Sequence, residues 1–216
     1  MQADPQELVT EFDLRSLPDH FYADPFPTYH ALRSLDPVRR MPDGSYFLTR
    51  HADCAAVYRD AATFSSDKRS EFGPKYGDTA LYQHHTTSLV FNDPPRHTRV
   101  RRLIIGALTV RAIEALEPDL TALVDRLLDT AEAKNRIDLI ADFAAAIPVE
   151  VIGNLLAVPH GDRGSLRDWS LAILGALEPR LTPAEAARGN RAVTEFSRYL
   201  QDLVADRRRR PGDPAR

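Results

Sequence analysis

From Phe91 to Leu103 the chain reads Phe-Asn-Asp-Pro-Pro-Arg-His-Thr-Arg-Val-Arg-Arg-Leu, the segment whose residue types and spacing best suit chemistry. On a helix, residues four apart lie roughly 40° apart around the axis, so His97 and Arg101 share a face. Arg99 and Arg102 fall on roughly the opposite side. One helix would therefore present two cationic faces. A histidine and an arginine on one face suit a buried anion, because a planar guanidinium matches carboxylate or phosphate oxygens in paired hydrogen bonds. The same run also fits a solvated basic helix, the commoner fate of charged residues.

Other polar groups carry less. His84 and His85 are adjacent, so regular structure does not converge them, and no carboxylate or cysteine accompanies them as a metal-ligand set would require. The four arginines at 207–210 complement the negative end of a helix dipole while staying solvated. Cys54 is the single cysteine, flanked by Asp53 and Ala55, and reads as a packed thiol. Ser165 and Ser170 have no base at a readable spacing. Trp169, beside Leu166, Leu171 and Ile173, reads as core.

The elements that must position these residues follow from pattern. Residues 1–24 carry few apolar side chains and two prolines and read as an irregular lead-in. Asp24-Pro25 opens a helix striped by Tyr29, Leu32 and Leu35, and Asp36-Pro37 ends it. Asp43-Gly44 between two β-prone runs predicts a hairpin. Residues 51–59 read as helical. Residues 68–88 are polar, contain Gly73-Pro74 and Gly77, and read as a long loop. Beyond residue 89 the pattern is helical. Asp93 is the expected N-cap of a helix over 97–108, and Thr109 of a next helix striped by Ile113, Leu116, Leu120, Leu123, Val124, Leu127 and Leu128. An apolar segment over 137–158 is expected to break at Pro148 and Pro159. Helices over 166–177 and 183–209 follow, the last striped by Val193, Phe196, Leu200, Leu203 and Val204. The fold class is mainly α with one small β-hairpin near the N-terminus.

Composition narrows the function classes. The chain has 216 residues, 43% hydrophobic and 27% charged, with net charge −3, which fits a globular protein and disfavours wholesale nucleic-acid binding. One cysteine excludes an internal disulfide or a four-cysteine metal site. The acidic first fifteen residues do not form a secretory signal, no apolar run spans a bilayer, and the expected location is the cytoplasm.

The Asp-Pro-Pro start leading into His97-Thr98-Arg99-Val100-Arg101 resembles the C-helix motif of the soluble bacterial cytochrome P450 family. The resemblance extends along the chain from about residue 20. Asp24-Pro25-Phe26-Pro27-Thr28-Tyr29 resembles the family's first helix, residues 38–50 its first hairpin, and Ala62-Thr63-Phe64-Ser65-Ser66 the turn after its B helix. Leu108-Thr109 with Ile113-Glu114-Ala115-Leu116-Glu117-Pro118 resembles its C-to-D connection.

That resemblance implies the N-terminal half of the P450 fold, truncated before the central I helix, with the whole of 1–216 as one partial domain. It implies haem in the complete protein, with His97 and Arg101 holding the propionates. It also implies a ferredoxin-type electron donor docking near Arg99 or Arg102, and insertion of one oxygen atom into a small apolar substrate. The acid–alcohol pair, the Glu-x-x-Arg helix and the cysteine-ligand loop have no counterpart in these residues. Cys54 lacks the glycine-rich setting of the family's ligand, so no catalytic or metal-ligating residue is assigned. The chain alone is expected neither to retain haem nor to turn over substrate, and Phe196 and Leu200 are expected to be left uncovered. A haem-free relative acting as an auxiliary that binds a protein partner is the alternative.

Overall fold

A computed structural model describes residues 4–134 and 136–210. The chain divides into two compact units, Met1–Ser66 and Asp67–Arg216.

In the first unit, α1 (Pro5–Glu11) is capped by Asp4, whose side chain accepts the Gln6 N–H at 2.9 Å, with Pro5 where a missing N–H costs nothing. Two short helices follow, α2 (Asp19–Ala23) and α3 (Phe26–Leu35), then β1 (Val38–Arg40), β2 (Tyr46–Leu48) and α4 (His51–Arg59). The strands pair antiparallel, Val38 with Leu48 and Arg40 with Tyr46. Between them Gly44 adopts φ +85°, and the Asp43 carboxylate accepts both the N–H and the hydroxyl of Ser45. The hairpin and α3 lie where the sequence predicts.

The stretch 1–24 is not an irregular lead-in over its described residues, 4–24. Leu8, Val9, Phe12 and Phe21 are buried there against Ala31, Leu32 and Met41, with Tyr29 and Phe47 alongside. Phe12 meets Phe47 at 4.8 Å between ring centres, and Phe21 meets Tyr29 edge-on at 5.5 Å. The apolar residues are few, but four of them are buried together, while Leu14 and Tyr22 stay exposed, and those four form much of the core of this unit.

The second unit comprises α5 (Arg69–Tyr76), α6 (Ala80–Thr87), a 3-10 turn (Leu89–Phe91), α7 (Arg96–Ala107), α8 (Val110–Glu114), α9 (Glu117–Glu132), a π-helical stretch (Leu139–Ala144), α10 (Ala146–Leu155), a second 3-10 turn (His160–Asp162), α11 (Arg163–Gly175) and α12 (Pro183–Arg209). Its core is built from α5, α6, α11 and α12: Phe72, Tyr76, Leu81, Ile173, Ala176, Ala192 and Val193. The α12 helix starts with a reciprocal capping box between Thr182 and Glu185 and has the length its pattern predicts.

Residues 68–88 are therefore helical core, not a long loop. Phe72 and Tyr76 on α5, and Leu81 and His85 on α6, are each four residues apart and buried, while Lys75 and His84 are half-buried and Asp78 and Gln83 exposed. Pro74 lies inside α5 and Gly77, at φ +60°, ends it.

Several smaller expectations change. Pro95, not Asp93, stands at the cap of α7; the Asp93 carbonyl accepts the His97 N–H at 3.0 Å. The stripe from Ile113 to Leu128 spans two helices, because Pro118 starts α9 afresh. Pro148 lies in the first turn of α10 and does not break it. Phe196 is half-buried, its ring 5.6 Å from Trp169, and Leu200 is likewise half-buried. Trp169 is itself half-buried, with its N–H donating to Glu195 at 2.9 Å.

Candidate functional site

The α7 helix carries the polar cluster. Its approach is fixed by a clasp that the sequence did not reveal. Asn92 is buried, and its side-chain amide donates to the Ser88 carbonyl across the 3-10 turn. The signal was present as an Asn four residues after a Ser, but such a pair has no meaning until the intervening turn is known.

His97 is half-buried, and Arg99, Arg101 and Arg102 are exposed. Among the described residues, no hydrogen bond or salt bridge engages any of these four side chains. At about 100° per residue, His97, Arg101, Ile104 and Leu108 fall within roughly 60° of one another. That stripe has cations toward its N-terminal end and apolar side chains toward its C-terminal end. Ile104 is 42% and Leu108 37% exposed, so the apolar part is only partly covered within the unit. Arg99 and Arg102 lie on the other side of α7. Such a stripe can hold a flat ligand with an apolar body and carboxylates at one edge: charge-assisted hydrogen bonds offset the carboxylates' lost hydration, and burial favours the apolar body.

The remaining candidates are placed elsewhere. His84 and His85 belong to α6, and the His85 ring is enclosed by Phe72, Tyr76 and Phe91. No group of three or more potential metal ligands occurs among the described residues. Cys54, in α4, directs its thiol to the Leu48 carbonyl at 3.8 Å. Arg207 donates to the Ala157 carbonyl, which makes it a structural contact rather than a solvated charge, whereas Arg209 pairs with Asp206 at the surface. No helix of the described residues is long and apolar enough to cross a membrane.

No family profile matches the chain. Individual proteins do. The cytochrome P450 monooxygenase PikC of Streptomyces venezuelae is 34% identical over 207 residues, covering 93% of this chain and 47% of that protein. The vitamin D(3) 25-hydroxylase of Pseudonocardia autotrophica is 36% identical over 196 residues, covering 89% of this chain and 46% of its own. Among solved structures, CalO2 superposes with a TM-score of 0.84 at 30% identity, over 95% of this chain and 51% of that one. The mostly helical architecture with one small hairpin and the sequence similarity agree: the chain belongs to the bacterial cytochrome P450 family, as an N-terminal portion. It spans about half the length of the curated relatives it matches.

Proposed function

We propose that this chain is the haem-cradling N-terminal part of a monooxygenase, with His97 and Arg101 as the partners of the haem propionates. The observation that supports this reading most is the shared stripe of α7, cations followed by the partly exposed Ile104 and Leu108. It fits haem, which presents two carboxylates at one edge of an apolar macrocycle. His97 donates from its imidazole and Arg101 from its guanidinium, and both side chains are free to do so. When bound with a cysteine thiolate, haem supplies oxygen activation and insertion of one oxygen atom into a small apolar substrate. Cys54 does not suit the ligand role, since its thiol lies against the Leu48 carbonyl inside the hairpin unit.

Arg99 and Arg102 form the opposite face of α7. In this reading they attract an acidic ferredoxin-type electron donor, steering encounter more than setting affinity. The exposed apolar side chains of α7 and α8, Leu103, Ile104, Val110 and Ile113, are then surfaces that the rest of the P450 fold covers.

The test is a chimera in which this chain replaces the matched half of PikC. Haem incorporation that falls with Arg101→Ala and with His97→Ala supports the reading. A folded chimera that takes up no haem favours the haem-free auxiliary.

A further inference from the structure

The first unit contains a groove of about 1110 Å³ between α1 and α3, lined by residues from both helices and by His20 and Asp24. That volume is ample for a small organic molecule, since pockets of that kind run to about 1,000 Å³. From α1 come Asp4, Glu7, Leu8 and Glu11, one stripe at helical spacing. From α3 come Thr28, Ala31 and Leu35, again at helical spacing, with Phe26 at its start. Leu8 and Ala31 are buried and make an apolar floor, while Phe26 and Leu35 are 66% and 51% exposed.

The rim is acidic, and no lysine or arginine lines the groove. Asp4 and Asp24 each accept a backbone N–H, from Gln6 and Phe26. Among the described residues, no hydrogen bond or salt bridge engages the Glu7 or Glu11 side chain. These two lie four apart on α1, where like charges repel across one turn. Of the arginines that flank or belong to the two helices, Arg15 pairs with Asp43 and Arg33 donates to the Thr49 carbonyl. The repulsion is therefore left without a cation to relieve it.

Thr28 is the second, independent sign. It is 3% exposed, it lines the groove, and no hydrogen bond engages its hydroxyl among the described residues. That is unusual in this chain: Thr10, Thr121 and Thr194 each donate to the carbonyl four residues earlier. A buried hydroxyl without a partner is costly unless something in the groove bonds to it.

We propose that this groove binds a small organic cation, an amine on an apolar body. The body rests on Leu8, Ala31 and Leu35, Glu7 and Glu11 supply the opposing charge, and the Thr28 hydroxyl oxygen accepts an ammonium N–H. The exposed Phe26 ring offers a face to the same cation. An anion meets the wrong charge. A metal ion lacks a ligand set, since no group of three or more potential ligands occurs among the described residues. The site lies wholly within the first unit and does not depend on the haem reading above.

Titration of the full chain with phenethylammonium, followed by amide and imidazole NMR shifts, tests the site. The neutral 3-phenylpropan-1-ol and the anion 3-phenylpropionate serve as counterparts. Saturable shifts are expected in α1, α3, His20 and His30, weaker affinity for the alcohol, and none for the anion. Added salt should weaken the amine. The Glu7→Gln/Glu11→Gln double variant should lose about two- to fivefold in affinity. Thr28→Val, which keeps the shape and removes the acceptor, should lose about two- to tenfold. Glu132→Gln on α9 should change nothing. Absence of saturable shifts at these residues, or equal affinity for the alcohol, overturns the proposal. So does unaltered affinity in both the double variant and Thr28→Val. Should Thr28→Val not fold, the double variant, whose changes are at exposed side chains, decides alone.

Discussion

Tyr76 and Ala176 lie a hundred residues apart in the chain, yet the Tyr76 hydroxyl donates to the Ala176 carbonyl at 2.7 Å in a buried setting. The bond ties the end of α5 to the end of α11, and with Lys75 on the next two carbonyls it closes the C-terminal end of α11.

Removing that hydroxyl tests whether α5 is structural. Tyr76→Phe leaves the ring in place and strands a buried carbonyl, so a loss of about 1–3 kcal/mol in urea unfolding is expected. A change within error of zero would restore the view of residues 68–88 as a detachable loop.

Much of this region was hard to read in the sequence for a specific reason. Phe72, Tyr76, Leu81, His85 and Thr86 are the buried positions, but a glycine-proline pair and a glycine interrupt the run, and two buried members are polar. Composition therefore reads as loop while spacing reads as helix. The first twenty-four residues hide a core in the same way, since Leu8, Val9, Phe12 and Phe21 are too few to show a period over two short helices. Where a helix is long and capped, sequence and structure agree: α12 begins and ends as predicted because Thr182, Pro183 and Glu185 mark its start and Val193 and Phe196 its inner face. For the site, the spacing of His97 and Arg101 was legible. The Ser88–Asn92 clasp that leads into it was not, because it depends on a tertiary turn.

The α12 cap gives a second prediction. Thr182→Ala removes the acceptor for the Glu185 N–H and one half of the box, and should cost about 1 kcal/mol by thermal or urea unfolding. Glu185→Gln, which keeps the reciprocal bond to the Thr182 N–H, should cost less.

A third concerns the corner between α10 and α11. Arg163 is 5% exposed and donates to the Val158 carbonyl through both Nε and Nη2, at 3.1 and 3.0 Å, while also pairing with Glu150. A Cβ on Gly153 would stand 2.6 Å from Arg163 Nε. Gly153→Ala must push this buried guanidinium off its acceptors, and a loss of roughly 1–3 kcal/mol is expected. A neutral or stabilising effect in urea unfolding would show that the guanidinium has room to move.

Stability should also depend on pH through His85. Its folded pKa lies near 4, below the ordinary value of 6.5, so the unfolded chain binds the extra proton first. The contribution is fully present above about pH 6.5 and is lost as pH falls toward 4, by up to about 3 kcal/mol. Urea titrations of the unmodified chain and of His85→Phe at pH 7 and pH 4.5 should therefore diverge, the variant losing less.

The central claim is that α7 holds haem through His97 and Arg101, and haem occupancy of the PikC chimera tests it most directly. The account predicts a folded, haem-loaded chimera with a thiolate-type ferrous–CO spectrum, and a marked fall in occupancy for Arg101→Ala, since removing one partner of a buried ion pair costs roughly 3–5 kcal/mol. Unchanged occupancy in both Arg101→Ala and His97→Ala, with the chimera folded and haem bound, would contradict it.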